Sequence, residues 1–257
     1  MGTTQDHHHT PHVAMLPCPG MGHLVPHLEL AKPSAAQSQY LLSNSLPESL
    51  QIYHLPPKNI APSVENSASL EIRLSSIIRE SLPEIESFIV NSHDSKDTAV
   101  SPISILITDF FSTDGFDIAN KVGIPKYIYF CPAAYIFSFM ILSISKIQFK
   151  TPGCKPIQPN DLPDPLWDRK TGAYKWFLNQ ASRFPLADGI LLNTSRDIEP
   201  NTIQSLRDNP ILQQLGTPRI YPVGPLVKPQ LAKLNDEYLT WLNQQPKDSV
   251  LYVSFGS

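Results

Sequence analysis

The residue most suited to chemistry near neutral pH is His23, which closes the segment Pro19-Gly20-Met21-Gly22-His23. An imidazole titrates close to pH 7, so it can accept a proton and persist as imidazolium. The apolar run His12 to Pro17 ahead of it reads as a strand, PCPGMG as a tight glycine turn, and His23 to Lys32, with Leu24, Leu28 and Ala31 on one side, as a helix. His23 therefore falls at the mouth of a strand, where open α/β sheets place ligands. A histidine at a helix start can also be a plain capping or core hydrogen-bonding group. A second chemical segment, ITDFFSTDGFDIA at 107–119, offers three carboxylates. Asp109 ends a strand there, whereas Asp114 and Asp117 fall within the helix that follows; Asp109 could equally cap that helix.

Other candidate chemistries are weaker. PGMGH lacks the GxGxxG spacing and the GK[ST] ending of phosphate-binding loops. His7, His8, His9 and His12 sit on a polar tail, MGTTQDHHHTP, and adjacent histidines on such a tail do not readily converge on one metal ion. Cys18, Cys131 and Cys154 have no CxxC spacing, and three is an odd number for a disulfide framework, which fits a reducing compartment, the cytoplasm by default. The polar start and the run broken by Pro17, Pro19 and Gly20 match neither a signal peptide nor a membrane span. Asn193-Thr194-Ser195 is formally a glycosylation sequon and is read as a chance match.

These residues need a scaffold, and the sequence suggests one. At 257 residues, 41% hydrophobic and 17% charged, the chain is globular in composition and long enough for one large domain plus part of another. A net charge of −3 with no basic stripe argues against a nucleic-acid partner. Ile103–Thr108, Lys126–Phe130, Gly189–Asn193 and Val250–Phe255 read as further short apolar strands, with helices expected over Thr113–Val122, Ala133–Ile147 and Ile198–Arg207. Such alternation implies an α/β fold, a Rossmann-like parallel sheet with helices on both faces. A long helix from Leu70 to about Ser92 carries apolar residues at three and four spacing, with Pro83 as a kink. The proline-rich stretch Phe149–Ala173 reads as a long surface loop, and Pro218–Pro229 as a second, beyond which a boundary is placed. The expected organisation is a tail at 1–11, a domain at 12–228, and a linker with the first strand of a second domain at 229–257.

Five segments carry a family resemblance: HVAMLPCPGMGHLVPHLELAK at 12–32, ITDFFSTDGFDIA, DPLWDRKTGAYKWFLNQASRF at 164–184, GILLNTSRDIEPNTIQSL at 189–206, and YPVGPLV with WLNQQPKDSVLYVSFGS. Together they resemble the N-terminal half of plant family 1 UDP-sugar-dependent glycosyltransferases, a GT-B fold, and within them the subgroup that glucosylates small phenols such as hydroquinone. The resemblance implies two facing Rossmann-like domains, the first holding the acceptor and the second the UDP-sugar. The long donor-binding signature of the second domain has no counterpart here. It implies His23 as the catalytic base and Asp109 as the carboxylate that fixes its tautomer and steadies the charged ring. Phe111, Glu71 and Leu74 occupy positions matching the acceptor pocket, though each is also a natural helix-face or core residue. Gly22 and Ser257 match residues on the donor side, and Ser257 could equally be a turn residue. Metal and cofactor are not needed, because the UDP-sugar is a co-substrate. The partners implied are a small phenolic acceptor and, with a donor domain supplied, UDP-glucose.

Two departures stand out. After Lys32 the chain runs into Pro33-Ser34-Ala35-Ala36-Gln37 where relatives continue a helix and add a strand, so the sheet should lose a member beside its first strand or rebuild it from Gln51–Leu55. Without the donor half, the chain by itself could be an acceptor-binding module rather than a transferase.

Overall fold

The structure is a computed structural model that describes residues 12–31, 50–60, 69–94, 102–144, 151–156, 158, 162, 166–226, 237–251 and 253. In chain order its elements are β1 (His12–Leu16), α1 (Met21–Ala31), α2 (Leu70–Asp94), β2 (Ile103–Asp109), a 3-10 turn (Thr113–Gly115), α3 (Phe116–Val122), β3 (Lys126–Phe130) and α4 (Ala134–Ile144). There follow α5 (Gly172–Arg183), a 3-10 turn (Phe184–Leu186), β4 (Gly189–Leu192), α6 (Pro200–Asp208), α7 (Pro210–Gln214), β5 (Ile220–Pro222) and α8 (Glu237–Asn243). The strands form one parallel sheet in the order β1-β2-β3-β4-β5.

The register aligns the carboxyl ends of the strands. Leu16 pairs with Thr108, Asp109 with Tyr129, and Phe130 with Leu192. The first turn after β1, the last residue of β2 and the first residue after β3 therefore share one rim.

Successive side chains point to opposite faces of a sheet, and here both faces carry helices, unequally. The face bearing Leu106, Ile128, Phe130, Ile190, Leu192 and Ile220 is fully buried. Phe130 packs edge-on to Phe137 of α4 and to Phe184, with centroids at 5.2 and 6.0 Å, while Phe137 and Phe184 stack at 5.3 Å. On the opposite face Tyr129 meets His27 of α1, edge-on at 4.7 Å. Ile105, Ile107, Tyr127, Leu191 and Tyr221 of that second face are only half-buried. Burial of an aromatic side chain contributes about 1.5–3 kcal/mol, so the first face supplies most of the core.

Several expectations need correction. Pro218–Pro229 is not wholly loop: Ile220–Pro222 is the fifth strand, because β4 offers a free edge and Arg207 of α6 donates to the Ile220 carbonyl at 3.1 Å. Among the described residues of the run 250–255, Val250, Leu251 and Val253 lie in no strand, and an apolar run without a neighbouring ladder has no partner for its backbone groups. Gln51–Leu55 forms no strand. Tyr53 instead packs tilted against Phe88 of α2 at 4.2 Å, Lys58 pairs with Glu84, and among the described residues β1 stays at the sheet edge. The departure at Pro33–Gln37 lies outside the described residues. Helix α2 continues through Pro83 to Asp94, helix α5 already starts at Gly172, and Asp114 sits in a 3-10 turn rather than an α-helix.

Asn193 of the sequon has a structural task. Its Oδ1 accepts from the Leu226 backbone at 2.6 Å, while Gly224 donates to the Thr194 carbonyl at 3.1 Å. A Cβ on Gly224 would lie 2.7 Å from the Asn193 carbonyl carbon and 2.3 Å from its Oδ1. Gly224→Ala should therefore lower stability by about 1–3 kcal/mol, the usual range for overpacking. The urea midpoint measures it, and an unchanged midpoint would contradict the close packing.

Candidate active site

Gly20 begins the site. Its φ of +124° is a conformation that favours glycine, and its carbonyl accepts from the His23 and Leu24 backbones at 3.1 and 2.9 Å, which turns the chain from β1 into α1. This places His23 in the first turn of α1, on the rim where β2 ends. His23 Nδ1 lies 2.8 Å from Asp109 Oδ2. A carboxylate only accepts, so the ring proton belongs on Nδ1, and Nε2 is left with its lone pair free for a proton.

Asp109 is completely buried, with a solvent exposure of 0%, and its other oxygen, Oδ1, accepts from the Phe111 backbone at 2.9 Å. The Cys131 thiol adds a long donation to Oδ2 at 3.7 Å. Burial alone would penalise the charge, and these donors offset the penalty. His23 keeps 23% of its side chain exposed, so the ring reaches outward while its carboxylate does not.

Aromatic rings enclose the imidazole. Phe111 meets it edge-on at 5.2 Å and Phe110 lies at 5.7 Å. Trp176 of α5 packs on Phe111 at 4.9 Å and donates its Nε1 proton to Ser75 Oγ of α2 at 2.5 Å. Four elements of the fold are thereby joined around one ring.

His23 and Asp109 are brought together, and Phe111 lies beside them. Gly22 is the neighbouring residue in α1, and Ser257 lies outside the described residues. Leu74 packs against the buried cluster that contains Phe110 and Phe111. Glu71, in the first turn of α2, is half-buried with Oε2 lacking a hydrogen-bond partner among the described residues. No contact places Glu71 or Leu74 on His23 itself. The competing carboxylates are engaged elsewhere: Asp114 with Arg79 at 3.5 Å and Asp117 with Arg183 at 3.0 Å.

Sequence reasoning missed four neighbours. His27 donates from Nδ1 to the His23 carbonyl at 2.8 Å, one helical turn on, and its i+4 spacing was a usable signal. Cys131 directly follows β3, the strand-end position at which ligands gather. Cys18 lies in the glycine turn. Trp176 had no local signal, since only folding brings α5 to β2.

Burial sets the ionisation of this surround. It pushes the Cys18 and Cys131 thiols well above their ordinary range, with the Asp109 charge acting in the same direction, so both stay protonated at neutral pH. Burial lowers His27, against opposing contributions from the Asp109 charge and the bond to the His23 carbonyl.

An open parallel α/β domain with a histidine–carboxylate pair at the carboxyl rim of its sheet defines a class of ligand-binding and catalytic proteins. No family model matches the chain. It is 38% identical over 284 aligned positions to UDP-glycosyltransferase 72B1 of Arabidopsis thaliana, covering 96% of this chain and 57% of the relative. Hydroquinone glucosyltransferase of Rauvolfia serpentina is 34% identical, covering 97% of this chain and 57% of the relative. Among solved structures, the Polygonum tinctorium UDP-glucosyltransferase capable of glucosylating indoxyl, in complex with 3,4-dichloroaniline, superposes with a TM-score of 0.78 at 33% identity, covering 96% of this chain and 59% of that one. Phytolacca americana UGT2, complexed with UDP-2fluoro-glucose and pterostilbene, gives a TM-score of 0.76 at 30% identity, covering 96% of this chain and 60% of that one. The chain is homologous to plant UDP-glycosyltransferases and matches their N-terminal half, spanning about 57% of the length of the curated relatives.

The lowered His27 carries a stability consequence. The unfolded chain binds this proton near the ordinary histidine pKa of about 6.5, while the fold holds the ring neutral. The contribution is complete above that pH and is lost as pH falls below it toward the folded value. The urea midpoint of the wild-type chain should fall more steeply between about pH 7 and 5.5 than that of His27→Asn, with a limiting slope of about 1.4 kcal/mol per pH unit for one proton. Parallel profiles for the two proteins would show that His27 is not held neutral.

Proposed function

We propose that this chain supplies the acceptor-binding and proton-accepting half of an inverting O-glycosyltransferase that moves a glucosyl group from UDP-glucose to a small phenol. The observation that carries the reading is the 2.8 Å contact between His23 Nδ1 and buried Asp109, which leaves His23 Nε2 as a base among Phe110, Phe111 and Trp176. A phenol has a pKa of about 10, so near pH 7 it arrives protonated. Nε2 takes the phenolic proton as the oxygen attacks the anomeric carbon; the bond from that carbon to the UDP oxygen breaks, and UDP leaves with the electron pair. One in-line displacement without a protein nucleophile inverts the anomeric centre. Asp109 stabilises the resulting imidazolium and holds its Nδ1 proton in place.

The aromatic wall favours a flat apolar acceptor, with Leu74 and Glu71 on α2 as further lining. Residues 12–228 form the acceptor domain in this reading, and 229–257 lead into a donor domain, with Gly22 and Ser257 on the donor-phosphate side. The reading draws support from relatives whose own names state glucosyl transfer. Free Cys18, Cys131 and Cys154 suit a reducing compartment such as the cytoplasm, and no helix among the described residues is long and apolar enough to cross a membrane.

Joined to the donor half of one of these relatives, the chain should convert hydroquinone and UDP-glucose to a glucoside detectable by mass. His23→Ala should lower kcat/KM by about 10²–10⁴, the range for losing a general base. Asp109→Asn should lower it by about 10–100-fold, as for loss of an orienting partner. Undiminished turnover in His23→Ala would sink the assignment, as would a chimera that binds UDP and hydroquinone yet makes no product.

A further inference from the structure

Asp109 is ringed by more donor atoms than a tautomer-fixing carboxylate requires. Ligand atoms of Cys18, His23 and Asp109 lie within 4.8 Å of one another, and so do those of His27, Asp109 and Cys131. The two triads share Asp109 and draw on the β1–α1 turn, α1, the end of β2 and the residue after β3. Cys131 Sγ is 3.7 Å from Asp109 Oδ2 and 3.9 Å from His27 Nδ1. Cys18, His27 and Asp109 are 1%, 2% and 0% exposed, so this is not a chance gathering of surface side chains. The Nε2 atom of His27 is buried and has no hydrogen-bond partner among the described residues.

The donor chemistry narrows the class of ligand. Thiol sulfur, imidazole nitrogen and one carboxylate suit zinc or its softer congener cadmium, whereas magnesium and calcium require oxygen shells. Tetrahedral zinc, with bonds of about 2.0–2.3 Å, sets ligand atoms about 3.3–3.7 Å apart. From within 4.8 Å of one another the donors need to close by up to about 1.5 Å. The partly open His23 edge provides an entry path.

We propose that the cluster around Asp109 is a binding site for a thiophilic divalent cation of the zinc and cadmium class, held by Asp109, a cysteine thiolate from Cys131 or Cys18, and an imidazole from His27 or His23. Binding exchanges each coordinating thiol proton for a metal–sulfur bond and releases that proton to solvent, and an imidazole that coordinates through Nδ1 moves its ring proton to Nε2, with no change of oxidation state. Burial and the Asp109 charge keep these thiols protonated in the metal-free fold, and a bound cation offsets the first by pairing directly with the thiolate and the second by opposing the carboxylate charge. Occupancy also draws Asp109 away from His23 Nδ1. That consequence for transfer rests on the function proposed above, whereas binding itself does not and is tested without turnover.

The reduced 257-residue chain is titrated with cadmium alone, and the ultraviolet sulfur-to-cadmium charge-transfer band is followed. Histidine-tail binding at His7, His8 and His9 contributes no sulfur band, which is why cadmium is read through sulfur. The expected result is a saturable band at one equivalent, retained in Cys154→Ser, weakened about 10-fold or more in affinity in Cys131→Ser or Cys18→Ser, and absent from the double variant Cys18→Ser/Cys131→Ser. No band in the fully reduced chain, or a band lost only in Cys154→Ser, overturns the proposal. Should circular dichroism show the double variant unfolded, the 113Cd chemical shift of the wild-type complex decides: a sulfur-ligated shift supports the site, and a purely nitrogen and oxygen shift overturns it.

Discussion

The arrangement of this molecule turns on a single buried negative charge. Asp109 ends β2 with no solvent exposure, and a carboxylate in that position is tolerated only where donors surround it. Three groups do so: the His23 ring, the Phe111 backbone and, more weakly, the Cys131 thiol. Each comes from a different segment, so the charge ties the β1–α1 turn, the β2 exit and the β3 exit into one rim. A residue that looks costly in isolation thereby defines where the chemistry is located.

The same charge organises its neighbours electrostatically. It acts with burial on Cys18 and Cys131 to keep both thiols protonated, and it partly opposes the effect of burial on His27. His23 differs from His27, four residues away, chiefly in access: one ring edge reaches solvent, while the other ring packs on Tyr129 beneath α1. Two imidazoles on one helix thus have different prospects for proton transfer.

The helices divide unequally between the two faces of the sheet. Helices α2, α3 and α4 pack against the face of Leu106, Ile128 and Phe130, while α1, from the same β1–β2 connection as α2, packs against Tyr129 on the other. The face with Phe130, Ile190 and Leu192 is accordingly closed, whereas the Tyr127 and Tyr221 face receives α1 at its carboxyl rim. Asp109 and Tyr129 lie on that second face, and so the histidines of α1 reach them rather than the Phe137 and Phe184 core.

Much of this was legible from residue order alone. Short apolar runs separated by helical patterns specify a parallel sheet, the glycine turn at Gly20 specifies the entry into α1, and the position of Asp109 at a strand end distinguishes it from Asp114 and Asp117. These are local properties, set by side-chain periodicity and by the φ range open to glycine. The strand at Ile220–Pro222 was hidden because three residues, the last a proline, carry little periodic signal, and it forms only against the edge of β4. Conversely, Val250, Leu251 and Val253 read as a strand but lack a described neighbour with which to share hydrogen bonds. Which side chains meet was decided by tertiary structure: Trp176 on Phe111, Cys131 beside Asp109, and His23 at 2.8 Å from a carboxylate 86 positions away. Sequence determines what each residue can donate or accept, but distance through space depends on register and on how helices cross the sheet, and those are settled only when the whole core packs.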